Sequence, residues 1–297
     1  MKTIVSLVVS LLVTGAASAA VKVATLHPIL TDVVRQVGGA NVEVVEIFKP
    51  GSDIHHFEPA TKDIAAARGA PLLFACGKNL ETYLGKLRDS VGPTVKVVEV
   101  GKTIPSVLLD PKQEIFVCCP AHAKNSIDPH WWHSADNMKR AARVIADELS
   151  AVDPANRAAY EAGAKAAGKR FGEVKAWAQQ QISQIPRADR KLVTAHAAFG
   201  YFCKEYGFKA VPVLGIGRGD DASPQYIAQA MQVIREYKIR AVFPEDQANP
   251  KVLAEIVRST GVKTGDSLVA DGTSRTVHTI ETMMAHNVTA IVKALKP

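Results

Sequence analysis

Apolar and polar positions along the chain fall into short blocks that change period. Short β-like runs, most of them rich in β-branched and aliphatic residues, cover 21–26, 42–48, 72–75 and 95–100, and a second set covers 192–195, 210–213, 241–244 and 262–265. Short apolar runs bounded by turn residues read as strands buried on both faces. Between them apolar residues recur at helical spacing over 29–37, 61–68 and 135–149, and again over 198–206, 224–237, 251–259 and 276–295. Gly38-Gly39 stops the first of these helices. Strand–helix alternation with short connections predicts an α/β fold of mostly parallel sheets covered by helices.

The two sets of strands are separated by 154–183, rich in Ala, Lys, Arg, Glu and Gln without an interior proline. Asp153-Pro154 supplies a cap and a first-turn proline. A helix of about 30 residues would run about 45 Å, more than one domain's surface needs. Its place between two similar halves makes it a spine. The expected organisation is a leader over 1–19, an N-terminal α/β lobe over 20–153, a linking helix over 154–184 and a C-terminal α/β lobe over 185–297.

A length of 297 residues suits one large domain or two ordinary ones, and 47% hydrophobic with 22% charged residues supports a packed core rather than disorder. The formal charge of +7 is not gathered into a basic run, and aromatic residues are only 6%. Both features argue against a nucleic-acid partner.

Lys2, an apolar run over 4–13 and Ala17-Ser18-Ala19 before Ala20 have the pattern of a cleavable secretory signal. No Cys follows the small residues, so an exported, soluble, periplasmic protein without a lipid anchor is expected. Export permits disulfides, and four cysteines allow three pairings. Cys76 and Cys203 lie in apolar surroundings and read as small core residues. Cys118 and Cys119 are adjacent, and a bond between neighbours is strained, so a distant partner or none is expected.

Nine histidines are spread over the chain. His55-His56 closely follow a predicted strand, His130 precedes a predicted helix, and His196 and Asp266 directly follow strands. Ligands of parallel sheets gather beyond the carboxyl ends of strands. Three imidazoles and a carboxylate complete a tetrahedral set for a cation such as Zn²⁺. Spacing alone does not select them, because the sequence carries no compact HxxxH or CxxC motif and a lone His more often caps or hydrogen-bonds.

Gly51-Ser-Asp-Ile-His-His-Phe-Glu-Pro59 resembles the Gly-x-Asp-Pro-His-x-Tyr/Phe-Glu-Pro segment of the zinc/manganese solute-binding proteins of metal ABC importers. Asp128-Pro-His-Trp-Trp132 and Thr194-Ala-His-Ala-Ala-Phe-Gly-Tyr-Phe202 are similar to that family's second and third histidine motifs, and Asp266-Ser-Leu268 resembles its Thr-Asp-Ser-Leu segment. The resemblance runs through nearly the whole chain after the leader. It implies metal ligands His55, His130, His196 and Asp266, a cargo of Zn²⁺ with Mn²⁺ as the alternative, a membrane permease as partner, a monomer and no enzymatic activity. His56 falls on the family's variable position.

The departures from the family pattern refine the expectation. Ile54 stands where the family has Pro, a small change in loop stiffness. The third ligand position is His rather than the Glu of many manganese-selective relatives, which shifts the site toward zinc. His133 lies three residues from His130 but is expected to cap or support rather than ligate, since four ligands close the site. Glu245 follows a predicted strand and is expected to face the cleft, where the resemblance implies support of the ligands; a salt bridge within the C-terminal lobe is the alternative. The loop before the second motif, with Cys118, Cys119 and His122, is short, and an ordinary loop is expected there. Gly215-Ile-Gly-Arg-Gly219 lacks the ending of a phosphate loop and is set aside. The rival classes are an exported zinc hydrolase, with Glu58 or Glu245 as base, and a surface adhesin.

Overall fold

The computed structural model describes residues 19–48, 54–108, 126–213, 224–246, 250–274 and 276–297. The leader up to residue 18, Cys118, Cys119, His122 and the glycine-rich stretch at 215–219 lie outside the described residues.

Strands β1 (Val21–Thr25), β2 (Val42–Glu46), β3 (Leu72–Ala75) and β4 (Lys96–Glu99) form one parallel sheet in the order β2-β1-β3-β4. Strands β5 (Lys191–Thr194), β6 (Lys209–Pro212), β7 (Ala241–Phe243) and β8 (Lys263–Thr264) repeat that order as β6-β5-β7-β8, again parallel. Parallel strands need crossovers, and helices supply most of them. In the first half these are α1 (Pro28–Gly38), α2 (Thr61–Ala67) and α3 (Leu84–Val91). Two longer helices follow, α4 (Ala135–Val152) and α5 (Arg157–Ile182), and the second half contributes α6 (Gly200–Tyr206), α7 (Pro224–Glu236), α8 (Pro250–Thr260) and α9 (Ile280–Leu295).

Local chemistry explains the helix bounds nearest the site. His27 caps α1 with Nδ1 accepting from the Ile29 N–H at 3.1 Å, Pro28 occupies the first turn, and Gly39 ends the helix at φ 54°. Ser134 caps α4 by accepting from the Asn137 N–H. The 26-residue α5 is shorter than the stretch expected for it, because 154–156 turn as a 3₁₀ segment. There Asp153 accepts from Asn156 Nδ2 at 2.7 Å and Tyr160 Oη at 2.6 Å.

At about 1.5 Å per residue α5 spans about 39 Å, enough to lie along both sheets. Its buried stripe includes Tyr160, Ala164, Ala167 and Phe171 against the first half, then Ala178 and Ile182 against the second. Gly163 lets it approach α1, since a methyl there would overlap the Val37 carbonyl. The largest apolar cluster joins Val33, Trp132 and Phe171 to Val269, Ile280 and Met283. One core therefore runs through both halves on this side. Asp32 of α1 reinforces the junction by accepting from the Ile280 N–H of α9 at 2.8 Å.

Candidate metal centre

The order of each sheet makes its first strand a divergence point, since β1 pairs with both β2 and β3, and β5 with both β6 and β7. Ligand crevices open at the carboxyl ends of such strands. His27 stands two residues beyond β1, and His196 two residues beyond β5. The loop after β2 brings in His55, and the turn before α4 brings in His130.

His55, His130, His196 and Asp271 each offer one ligand atom, and these atoms lie within 4.8 Å of one another. His130 Nε2 is 3.3 Å from His55 Nε2. Asp271 Oδ1 lies 3.8 Å from His55 Nε2, 3.5 Å from His130 Nε2 and 3.6 Å from His196 Nε2. A tetrahedral ion with bonds of about 2.0–2.1 Å has ligand edges of about 3.4 Å. The spacing suits one four-coordinate divalent ion with three nitrogens and one oxygen.

Burial and hydrogen bonding prepare the imidazoles. His130 and His196 are fully buried, and the His55 side chain is 9% exposed. His130 Nδ1 pairs with Asp128 Oδ1 at 2.8 Å, and the same oxygen accepts the His130 backbone N–H at 2.8 Å. His196 Nδ1 pairs with Glu245 Oε2, and Glu245 Oε1 accepts the His196 backbone N–H at 3.0 Å. A carboxylate on Nδ1 holds the proton there and presents the Nε2 lone pair to an ion. Burial holds His130 well below the ordinary imidazole range, hence neutral. For His196 burial opposes protonation, but Glu245 and Asp271 outweigh it and raise the group to about 10. Without an ion, His196 carries a proton between two carboxylates.

Asp266 departs from the sequence expectation. Its side chain is 54% exposed and pairs with Lys293 Nζ at 2.8 Å, whose hydrogen bond draws the carboxyl below its ordinary range. The carboxylate that joins the histidines is Asp271, 3% exposed. Beyond β8 the chain does not end its turn at Asp266. Leu268 bridges to Glu245, and Asn287 of α9 accepts from the Val269 N–H at 2.9 Å and donates to its carbonyl at 2.8 Å. Trp132 Nε1 and His133 Nε2 both donate to the Ala270 carbonyl, at 2.9 and 2.7 Å. These bonds carry the chain inward, so that Asp271 faces the crevice. Gly272, at φ +105°, turns the chain directly after Asp271, and the Asp-Gly pair is the one local mark the position carries in the sequence.

The other histidines separate by contact. His133 supports the Ala270 carbonyl and stacks on Phe199 at 4.4 Å, so it stands outside the four-atom cluster. His56 is exposed. His27, a helix cap by its local sequence, is buried against Phe48 and Trp132. Burial holds it at about 3, hence neutral.

A buried nitrogen-and-oxygen donor set lies between two parallel-sheet lobes, with one long helix packed along both. The chain belongs to the family of the periplasmic zinc-uptake complex component A, whose model matches residues 23–294, and is thereby a metal-binding substrate-binding protein of an ABC importer rather than an enzyme. It is 28% identical over 277 residues to the manganese-binding lipoprotein MntA of Halalkalibacterium halodurans, covering 92% of this chain and 88% of that protein. It is 30% identical over 253 residues to the iron-binding protein YfeA of Yersinia pestis, covering 85% and 78%. In fold it is similar to the periplasmic zinc binding protein TroA of Treponema pallidum, with a TM-score of 0.83, 24% identity and coverage of 94% of this chain and 100% of that one. The family places the chain outside the cytoplasm, as its leader-like start suggested. That MntA is named a lipoprotein stands against the expectation of no lipid anchor. The relatives' names divide among manganese, iron and zinc.

Proposed function

We propose that the protein captures Zn²⁺ through His55, His130, His196 and Asp271 and delivers it, as a monomer, to the membrane permease of an ABC importer. The convergence of three imidazole Nε2 atoms on Asp271 Oδ1 carries this reading. Three nitrogens and a single carboxylate suit zinc better than manganese, which prefers more oxygen ligands. Manganese is the second reading, favoured by relatives named for it.

In this reading His55 and His130 belong to the N-terminal lobe of 20–153, and His196 and Asp271 to the C-terminal lobe of 185–297. The ion itself then ties the lobes, and the loaded and empty forms differ at the surface a permease reads. The shared core under the linking helix of 154–184 favours small loop and tilt movements over a wide hinge swing. Elemental analysis of protein purified from its native compartment tests the cargo. One zinc per chain supports the reading, and one manganese or iron per chain in its place overturns it.

A further inference from the structure

His27 and His196 occupy the same place in the two halves, two residues past the divergence strand of each sheet. Their hydrogen bonds are opposite. His196 Nδ1 faces the Glu245 carboxylate, so in the neutral ring the proton sits on Nδ1 and Nε2 is an electron-pair donor. His27 Nδ1 accepts the Ile29 backbone N–H at 3.1 Å, so in the neutral ring the proton must sit on Nε2. A ring so held cannot ligate a cation through that nitrogen, but it can donate a hydrogen bond.

That donor is buried and has no hydrogen-bond partner among the described residues, while His27 is 1% exposed. Buried donors are rarely left so, because each costs about 1–3 kcal/mol. The ring lies against the segment carrying Asp271. Its Cε1 is 3.0 Å, and its Nδ1 3.6 Å, from where a Cβ on Gly272 would stand. It also packs at 4.7 Å on Trp132, whose indole donates to the Ala270 carbonyl. Asp271 is the charged group that acts on it most strongly.

We propose that His27 is a positioning residue whose Nε2–H donates to the second carboxylate oxygen of Asp271 when the ion is bound, leaving Asp271 one oxygen for the metal. This rests on the zinc reading and extends it to selectivity. A carboxylate with one oxygen occupied binds through the other alone, so the site stays at four ligands, the count zinc prefers. Released from His27, Asp271 can offer both oxygens, and the site becomes more accommodating to manganese.

The test compares His27→Gln, which keeps an N–H donor near the Nε2 position without the ring, with His27→Phe, which keeps an aromatic ring against Phe48 and Trp132 without the donor. The readouts are the ratio of zinc to manganese affinity, by competition titration, and the visible absorption of the Co²⁺-loaded protein, strong for four-coordinate and weak for higher-coordinate cobalt. His27→Gln is expected to keep the wild-type ratio within about threefold. His27→Phe is expected to lower it about 10–100-fold and to weaken the cobalt bands. Phe matching or exceeding Gln in both readouts assigns His27 to packing alone and overturns the proposal. If zinc fails to bind the wild type, the functional reading fails first, and the wild-type titration shows that separately.

Discussion

Glu245 holds His196 at two points: one carboxylate oxygen accepts the backbone N–H at 3.0 Å and the other pairs with ring Nδ1. Both residues are buried. The pair fixes the ring's orientation and tautomer together, so Glu245 should matter to metal binding without touching the metal. Glu245→Gln is expected to weaken zinc binding about 10–100-fold while the fold is retained. Competition titration with a calibrated chelator, alongside circular dichroism, checks this. Unchanged affinity would show that His196 needs no carboxylate behind it.

The proton on His196 sets the pH dependence. Burial works against it, but Glu245 and Asp271 raise the metal-free group to about 10, above the ordinary ~6.5 of an imidazole. The bound ion takes the place of that proton at Nε2, so between about 6.5 and about 10 each metal bound should expel one proton from His196. Apparent zinc affinity should climb about tenfold per pH unit in that window, then level off. His130, kept neutral by burial, should add nothing there. Because the folded value lies above the unfolded one, this proton also stabilises the metal-free fold fully below about 6.5, and the contribution is lost as pH rises through about 10. Calorimetry in buffers of different ionisation enthalpy counts the protons, and a count of zero at pH 8 would contradict the account.

His55 and His56 are neighbours with opposite surroundings. His55 is in the four-atom cluster, whereas His56 is exposed. His55→Ala should lower zinc affinity more than about 100-fold, and His56→Ala by less than about threefold. Titration of the two variants decides the register of the motif.

Gly163 probes the seam between α5 and α1. A methyl at this position would overlap the Val37 carbonyl, and moving the helix would disturb the core both halves share. Gly163→Ala should cost about 1–3 kcal/mol of stability despite its gain in helix propensity. Chemical denaturation of the metal-free protein measures this, and zinc stoichiometry should stay at one.

The fold was legible because central parallel strands covered on both faces leave continuous apolar runs, as in Leu72–Ala75 and Ala241–Phe243, while the edge strand Lys263–Thr264 is marked only by its place after a helix. Helix α3 escaped, since Leu84–Val91 is short and places Lys86, Arg88 and Asp89 among few apolar residues. Three of the four clustered residues could be named because each histidine sits in its own local motif. Asp271 could not, because its position depends on partners distant in sequence: Glu245 on Leu268, Asn287 on Val269, and Trp132 and His133 on Ala270. Asp266 has the expected local context, two residues past β8, yet Lys293 holds it at the surface. His27 is hidden in the sequence for a similar reason. Locally it is an N-cap, and only the packed lobes bring it to Gly272.

The fourth ligand lies in one of two carboxylates five residues apart, Asp266 and Asp271. Asp271→Ala and Asp266→Ala should be titrated with Zn²⁺ against the same chelator at pH 7.5. A loss of more than about 100-fold is expected for Asp271→Ala, and a change within about twofold for Asp266→Ala, whose only described ion pair lies with Lys293. A large loss at Asp266 with Asp271→Ala unaffected would contradict the assignment of Asp271.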